Sequence, residues 1–159
     1  MIIGIPRESL PGENRVAATP TTVPALLKLG YEVVVESGAG EHAALPDHAY
    51  EEAGARIVGL GEAWKADLVL AVNEPTDDQI ALMRSGAVLV TFLHPRQDLA
   101  LTEKLAAAGI TGLSMDMVPR ISRAQSMDAL SSMANISGYR AVVEAAFAYG
   151  RTFRSEEHT

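Results

Sequence analysis

The sequence predicts an α/β fold, namely an open, mostly parallel, flavodoxin- or Rossmann-like sheet with helices on both faces, plus a long C-terminal linker helix. Apolar residues make up 48% of the 159 residues and aromatic residues only 5%, so aliphatic side chains must fill the core. Such a core is typical of helices packed on a parallel sheet. Short β-branched segments also alternate with helical patterns, as right-handed βαβ crossovers require.

Six segments rich in Ile, Val and Leu are predicted as strands. Four of them follow a helical pattern that ends in a glycine (Gly30, Gly54, Gly86 and Gly109), a residue that adopts the left-handed conformation of a helix C′ position at no steric cost. Helix starts are indicated by Thr19 before Pro20 and by a capping box from Thr76 to Gln79. The predicted strands are residues 2–5, 31–35, 56–58, 67–72, 87–92 and 110–115.

The alternation of strands and helices stops after residue 115. A polar segment, 116–126, is followed by the longest helical pattern, which has apolar residues at mixed three- and four-residue spacing. We expect an α/β domain over residues 1–125 and a helix over 126–153 that leads toward a second domain absent from the sequence. At 1.5 Å per residue, about 25 residues would span about 37 Å. Residues 154–159 are expected to be a disordered or truncated tail.

Composition argues against several classes of function. The chain has 13 Lys and Arg against 20 Asp and Glu, a net charge of -7, which disfavours nucleic acid as a partner. It contains no cysteine, and its four histidines show no ligand spacing, so no metal site is expected. Neither a membrane span nor a signal peptide is indicated.

A glycine-rich string follows the second predicted strand. Gly38, Gly40 and Ala43 match the pattern G-x-G-x-x-A of a dinucleotide-binding turn. A true fingerprint opens a helix at once and is followed by an acidic residue at the end of the next strand. Pro46 interrupts the pattern and no such acid is present, so a glycine-rich turn is favoured.

Two further candidates lie at predicted carboxyl ends of strands, where open α/β sheets bind ligands. Arg7 and Arg15 could clamp a carboxylate or phosphate, or pair with Glu8 or Glu13, and the sequence does not decide between these alternatives. His94 could act as an acid, a base or a substrate donor, although a structural role is favoured for a single histidine there.

The strongest candidate site is the polar segment and the start of the long helix. Ser131, Asn135 and Gly138 share one helix face and form a small polar stripe. A capping box formed by Ser122 and Gln125, with a packing glycine, is the alternative explanation, but it leaves the arginines unexplained. A site for a polar ligand is therefore preferred. Its candidate residues are Arg120, Arg123, Gln125, Asp128, Ser131, Asn135, Gly138 and Tyr139.

These residues resemble a known family. The run PRISRAQSMDALSS at 119–132, with Asn135 and GYRAV at 138–142, is similar to the α subunit of proton-translocating NAD(P) transhydrogenases. The segments IGIPRE at 3–8, ENRVA at 13–17 and VESGAG at 35–40 resemble the same family, which shares its fold with alanine dehydrogenases. The resemblance covers residues 1 to about 153.

The resemblance implies Re/Si-specific hydride transfer between NAD(H) and NADP(H), coupled to proton translocation. By position, Arg120, Gln125 and Asp128 correspond to catalytic residues that contact NAD(H), and Ser131 and Tyr139 join them as cofactor-binding residues. The domain would close a cleft whose NAD-binding half is absent, so the fragment alone would be inactive. Catalysis would rest on positioning rather than on acid–base chemistry.

The resemblance also implies the assembly. NADP(H) would bind to a partner component, other components would span the membrane, and the chain would be a homodimer, peripheral on the cytoplasmic side. An alanine-dehydrogenase-type enzyme is the first alternative: those enzymes carry a substrate-binding lysine where this chain has Asn73, which weighs against it, but a catalytic histidine at the position of His94. A non-catalytic α/β interaction module is the second alternative.

Overall fold

A computed structural model describes residues 1–151 and contains one six-stranded sheet. Its strands lie in the order β3-β2-β1-β4-β5-β6, and every neighbouring pair is parallel. The predicted fold class is confirmed, and the sheet is entirely parallel. The strands are β1 (Ile2–Ile5), β2 (Glu32–Glu36), β3 (Arg56–Val58), β4 (Leu68–Leu70), β5 (Val88–Thr91) and β6 (Thr111–Ser114).

Five α-helices are found in the described part of the chain, and four of them connect the strands. The predicted capping box of Thr76 and Gln79 is present. The first helix begins three residues later than predicted, because Thr19 and Thr22 form a hydrogen-bonded turn before it. The helices are α1 (Val23–Lys28), α2 (Asp47–Glu52), α3 (Asp77–Leu82), α4 (Leu99–Ala107) and α5 (Ala129–Tyr149).

Three of the predicted helix-ending glycines occupy the expected position. Gly30, Gly54 and Gly109 have φ values of 87°, 98° and 70° and lie two residues after a helix. Gly86 also has a positive φ, but α3 ends at Leu82, so this glycine belongs to the turn before β5. In each case a left-handed residue turns the chain back into the sheet.

The core consists of two clusters, one on each face of the sheet. Ile3 and Ile5 of β1 pack with Tyr50 of α2 in one cluster, whereas Leu89 of β5 packs with Leu101 of α4 in the other. Successive side chains of a strand point to opposite faces, so the alternation along each strand divides its residues between the clusters. The helices therefore cover both faces, as the sequence predicts.

A short 3-10 helix, Glu62–Lys65, lies directly against β1. A Cβ atom on Gly4 would be 1.9 Å from the carbonyl oxygen of Ala63. Only glycine allows this approach of two backbones, and the approach places Trp64 in the core, where it is 4% exposed.

Gly4→Ala is therefore expected to lower the free energy of unfolding by about 2–3 kcal/mol, since backbone cannot yield as a side chain can. Gly112→Ala is the matched control, because its new Cβ would meet the end of the Leu93 side chain at 2.8 Å, which can rotate away. Urea denaturation of both variants measures the difference. An equal decrease in the free energy of unfolding of both variants would contradict the importance of the contact between the backbones of Gly4 and Ala63.

Contacts divide the chain into two compact units, Met1–Met117 and Val118–Thr159, the second described to Arg151. The second unit contains a 3-10 helix, Ser122–Met127, followed by α5. The long helix was predicted over 126–153. It starts later because the chain before Asp128 winds as a 3-10 helix, and it ends at Tyr149, before Gly150, which has a φ of 63°. The predicted tail, 154–159, lies outside the described residues.

Within residues 1–151, none of the helices combines the length and the hydropathy needed to cross a bilayer. The same residues contain no cluster of three histidine, aspartate or glutamate side chains that could hold a metal ion.

Candidate functional site

Strand order reverses at β1, because the chain continues from β1 to β2 on one side and later returns to β4 on the other. This switch point is where open parallel sheets bind ligands. Here the loops after β1 and β4 are joined by Glu8. Its carboxylate accepts hydrogen bonds from the backbone N–H of Val72 at 2.6 Å, the backbone N–H of Asn73 at 3.2 Å and the Asn73 side-chain amide at 2.9 Å.

Arg15 is held by Glu13. The Arg15 Nε and a terminal nitrogen donate to the two carboxylate oxygens at 2.7 and 2.6 Å, and Asn73 donates to the same carboxylate at 3.0 Å. These hydrogen bonds, led by that from the Arg15 side chain, lower the pKa of Glu13 from its ordinary value of 4.5 to about 2. The ion pair also raises the pKa of Arg15. Of the two alternatives left open by the sequence, internal pairing is the one that Arg15 adopts.

Glu36, the last residue of β2, is 3% exposed. It accepts a hydrogen bond from the backbone N–H of Gly61 at 3.1 Å and another from the backbone N–H of Arg7. Burial raises the pKa of this carboxyl group against the opposing effect of those bonds. Glu36 thus ties together the loops that follow β1 and β3.

His94 has a left-handed backbone, with a φ of 43°. Such a conformation costs a residue other than glycine about 1–3 kcal/mol and must be held by its surroundings. Asp116 accepts the His94 N–H at 3.2 Å, and Glu74 lies 3.0 Å from Nδ1 of the ring. The ring also stacks on Phe92, with a centroid separation of 6.4 Å. The histidine is therefore fixed in place on both its backbone and its side chain.

Asp116 also accepts the N–H of Leu93 at 3.1 Å and the hydroxyl of Ser114. Partial burial would raise the pKa of Asp116, but the hydrogen bonds from Ser114, His94 and Leu93 outweigh it and lower the pKa. This carboxylate fastens the end of β6 to the end of β5.

A cavity of about 440 Å³ opens at this edge of the sheet. Its wall is formed by the loops after β1 and β4 and by the end of β5. The lining residues are Ser9, Leu10, Pro11, Asn73, Glu74, Thr76, Phe92 and His94.

The glycine-rich string is a structural turn. Gly38 has a φ of 75° and donates its N–H to Asp47 at 2.9 Å. A Cβ on Gly40 would be 2.4 Å from the carbonyl oxygen of Leu45 and 2.8 Å from the Tyr50 ring. The string continues into a three-residue 3-10 helix rather than an α-helix. The positive φ therefore accounts for Gly38 and packing accounts for Gly40, as the preferred interpretation predicts.

In the second unit, Asp128 caps α5. Its carboxylate accepts the N–H groups of Leu130 and Ser131, each at 3.1 Å, and the Ser131 hydroxyl at 2.6 Å. The bond from the Ser131 hydroxyl is the main cause of a lowered pKa of Asp128, and the charge of Arg120 adds to it. The structure thus joins two of the candidate residues, Asp128 and Ser131, by hydrogen bonds.

Gln125 and Tyr139 are also exposed in this unit. The backbone carbonyl oxygen of Gln125 accepts a hydrogen bond from the backbone N–H of Asp128 at 3.3 Å. Tyr139 is 75% exposed on α5, about two turns beyond Ser131. The capping box of Ser122 and Gln125 is not formed, since the cap of that 3-10 helix is Ile121 without a side-chain bond. The alternative interpretation, in which a capping box explains this segment, is therefore wrong.

The sequence analysis did not identify the roles of three carboxylates in the first unit. Glu8 accepts hydrogen bonds from the loop after β4, Glu74 pairs with the ring of His94, and Asp116 accepts the backbone N–H of His94 after β5. The signal that could have found them is their position. Each acidic residue lies within a few residues of the carboxyl end of a strand, where backbone N–H groups need acceptors.

The fold and this edge define a Rossmann-like parallel α/β domain in which the protein's own carboxylates connect the loops at the carboxyl ends of the strands. The family model described as alanine dehydrogenase/PNT, N-terminal domain, matches residues 4–137. The chain belongs to this family.

The chain is similar to NAD(P) transhydrogenase subunit alpha of Haemophilus influenzae, with 55% identity over 98% of this chain and 30% of that protein. The alanine dehydrogenase of Bacillus subtilis is 37% identical over 87% of this chain and 36% of that protein. The crystal structure of transhydrogenase from Sinorhizobium meliloti matches with a TM-score of 0.91 and 43% identity, over 99% of this chain and 48% of that one. The chain thus spans between about a third and a half of these relatives.

The ion pair of Glu13 with Arg15 gives the first unit a defined pH dependence. Because the pKa of Glu13 falls from 4.5 to about 2 on folding, the pair stabilises the fold above pH 4.5. That stabilisation is lost as the pH falls from 4.5 through 2. Urea midpoints measured from pH 5 to pH 2.5 should decline more steeply for the unmodified chain than for Glu13→Gln. Urea midpoints that decline equally in both chains would contradict the ion pair of Glu13 with Arg15.

Proposed function

We propose that this chain is the N-terminal domain of the α subunit of a proton-translocating, Re/Si-specific NAD(P) transhydrogenase, and that it contacts NAD(H) through the segment from Arg120 to Ser131. The observation that carries the proposal is the hydrogen-bonded pair of Asp128 and Ser131 at the start of α5, in a chain 55% identical to a transhydrogenase subunit alpha.

The donors and acceptors of this segment suit the nicotinamide end of the cofactor. The ring's carboxamide and the ribose hydroxyls need neutral or singly charged partners, which the amide of Gln125, the hydroxyl of Ser131 and the guanidinium of Arg120 supply. The hydride chemistry belongs to the bound NAD(H) itself. Asp128 fixes the Ser131 hydroxyl and the start of α5, so the role of these residues is orientation. Tyr139 would complete the set further along α5.

The remaining parts of the proposal concern the assembly. NADP(H) would bind to a partner component, and proton translocation would occur in membrane-spanning components. The chain would be a peripheral homodimer on the cytoplasmic side of the membrane and inactive without the NAD-binding domain that completes the cleft. The identity of the relatives as transhydrogenase subunits supports such partners.

Asp128→Asn and Arg120→Ala in the complete enzyme should slow hydride transfer between NADH and an NADP analogue by about 10- to 100-fold, because they disturb positioning. NADH affinity should change much less. Asparagine still caps a helix, so Asp128→Asn leaves α5 intact. Stopped-flow absorbance measures transfer, and equilibrium fluorescence titration measures NADH binding.

The control for these variants is Arg140→Ala, which removes an exposed cation that pairs with Glu144 on α5 and is not a candidate site residue. It should leave the transfer rate nearly unchanged. A wild-type rate in Asp128→Asn would refute the positioning role.

A second candidate function is an alanine-dehydrogenase-type activity. The pair of His94 and Glu74 on the wall of a small-molecule-sized cavity favours it. The chain offers little there to bind a substrate carboxylate, however, since Arg15 is engaged by Glu13 and Asn73 by Glu8 and Glu13.

The complete subunit is accordingly expected to show no oxidation of NADH that depends on pyruvate and ammonia together. Absorbance at the NADH band follows this reaction, and the Bacillus subtilis enzyme serves as the positive control. Turnover that requires both substrates would favour the dehydrogenase and overturn the transhydrogenase proposal.

A further inference from the structure

Three hydrogen-bond donors converge on one carboxylate at the switch point. The N–H groups of Val72 and Asn73 are successive along the backbone, and the Asn73 side-chain amide points to the same acceptor. All three donors belong to the loop after β4, whereas Glu8 belongs to the loop after β1. Val72 donates to one oxygen of the carboxylate and both Asn73 donors to the other, and successive N–H groups arranged in this way can bind an anion.

These donors depend on Glu8 for their partner. Val72 is 8% exposed, so its N–H has little access to water in the folded chain. An unpaired buried donor is unfavourable, and an outside oxyanion of the right size would satisfy it equally well. Asn73 lines the 440 Å³ cavity together with Ser9, which gives a small ion a route to this position. Arg15 adds a positive charge that acts on Glu8.

We propose that the loop after β4 is an oxyanion-binding site, and that the Glu8 carboxylate is its built-in occupant. The site takes a small oxyanion, either a planar carboxylate or a tetrahedral phosphate. In the unmodified chain it is closed to such ligands, because Glu8 already fills it. The switch point of this sheet consequently offers no place for the phosphates of a dinucleotide. This inference rests on the first unit alone and does not require the proposed function.

The test removes the occupant and supplies a replacement. In the full chain, Glu8→Ala should bind inorganic phosphate or acetate with an affinity at least about tenfold higher than the unmodified chain. Binding is followed through the amide signals of Val72 and Asn73 in proton–nitrogen NMR spectra. Phosphate and acetate are titrated separately, so their relative affinities distinguish a tetrahedral from a planar ligand.

Glu74→Ala is the matched control. Glu74 lies on the same cavity wall, but its hydrogen bond is to the His94 ring rather than to the β4 loop. This variant removes the same charge without emptying the site, so its response to either ion should equal that of the unmodified chain.

Glu8→Gln is the second variant and is used if Glu8→Ala does not fold. It retains one oxygen acceptor and loses the charge, so a smaller gain in anion affinity is expected. The melting temperature of either Glu8 variant should rise with phosphate, whereas that of the unmodified chain should not. The proposal is overturned if the unmodified chain shows the same saturable response at Val72 and Asn73, if folded Glu8 variants show none, or if Glu74→Ala responds equally.

Discussion

Hydrogen bonds from backbone N–H groups to side-chain carboxylates hold together the carboxyl edge of this sheet. Parallel strands end in loops whose N–H groups have no ladder partners, and a buried N–H without an acceptor is costly. Glu8, Glu36 and Asp116 each accept such groups from a loop that follows another strand, and Asp47 accepts one within the connection from β2 to α2. Bonds to a charged acceptor contribute about 1.5–3 kcal/mol each, enough to fix the loops that surround the cavity.

The same interaction organises the second unit. Asp128 accepts two N–H groups at the start of α5 and a hydroxyl from Ser131, and its negative charge is favourable at the positive end of a helix. A residue that the resemblance implies to be catalytic is thus also a structural cap. An amide substitution, which keeps the cap, would therefore separate the proposed orientation of the cofactor from folding of the helix.

Much of the fold could be predicted from the sequence, because strand composition and glycines such as Gly30 and Gly109 carry local signals. The reversal of strand order and the loop pairings could not, since contacts between Glu8 and Asn73 join residues 65 apart. Arg15 shows why the partners of a candidate site residue could not be predicted. Its position in the sequence is compatible with binding either a ligand or Glu13, and the folded loop places it on Glu13. Asp128 and Ser131 come together because they lie three residues apart, and the role that the resemblance implies for them and for Arg120 stays a prediction.

The protein's own Glu8 carboxylate occupies the N–H groups of Val72 and Asn73 at the switch point, and we propose that a dinucleotide places its phosphates elsewhere. An experimental structure of the complete subunit with NADH tests it most directly. Glu8 should remain on the N–H groups of Val72 and Asn73 at the present distances of 2.6 and 3.2 Å, with the nicotinamide end near Arg120, Gln125 and Asp128. A pyrophosphate bound to those two N–H groups, with Glu8 displaced, would contradict the account.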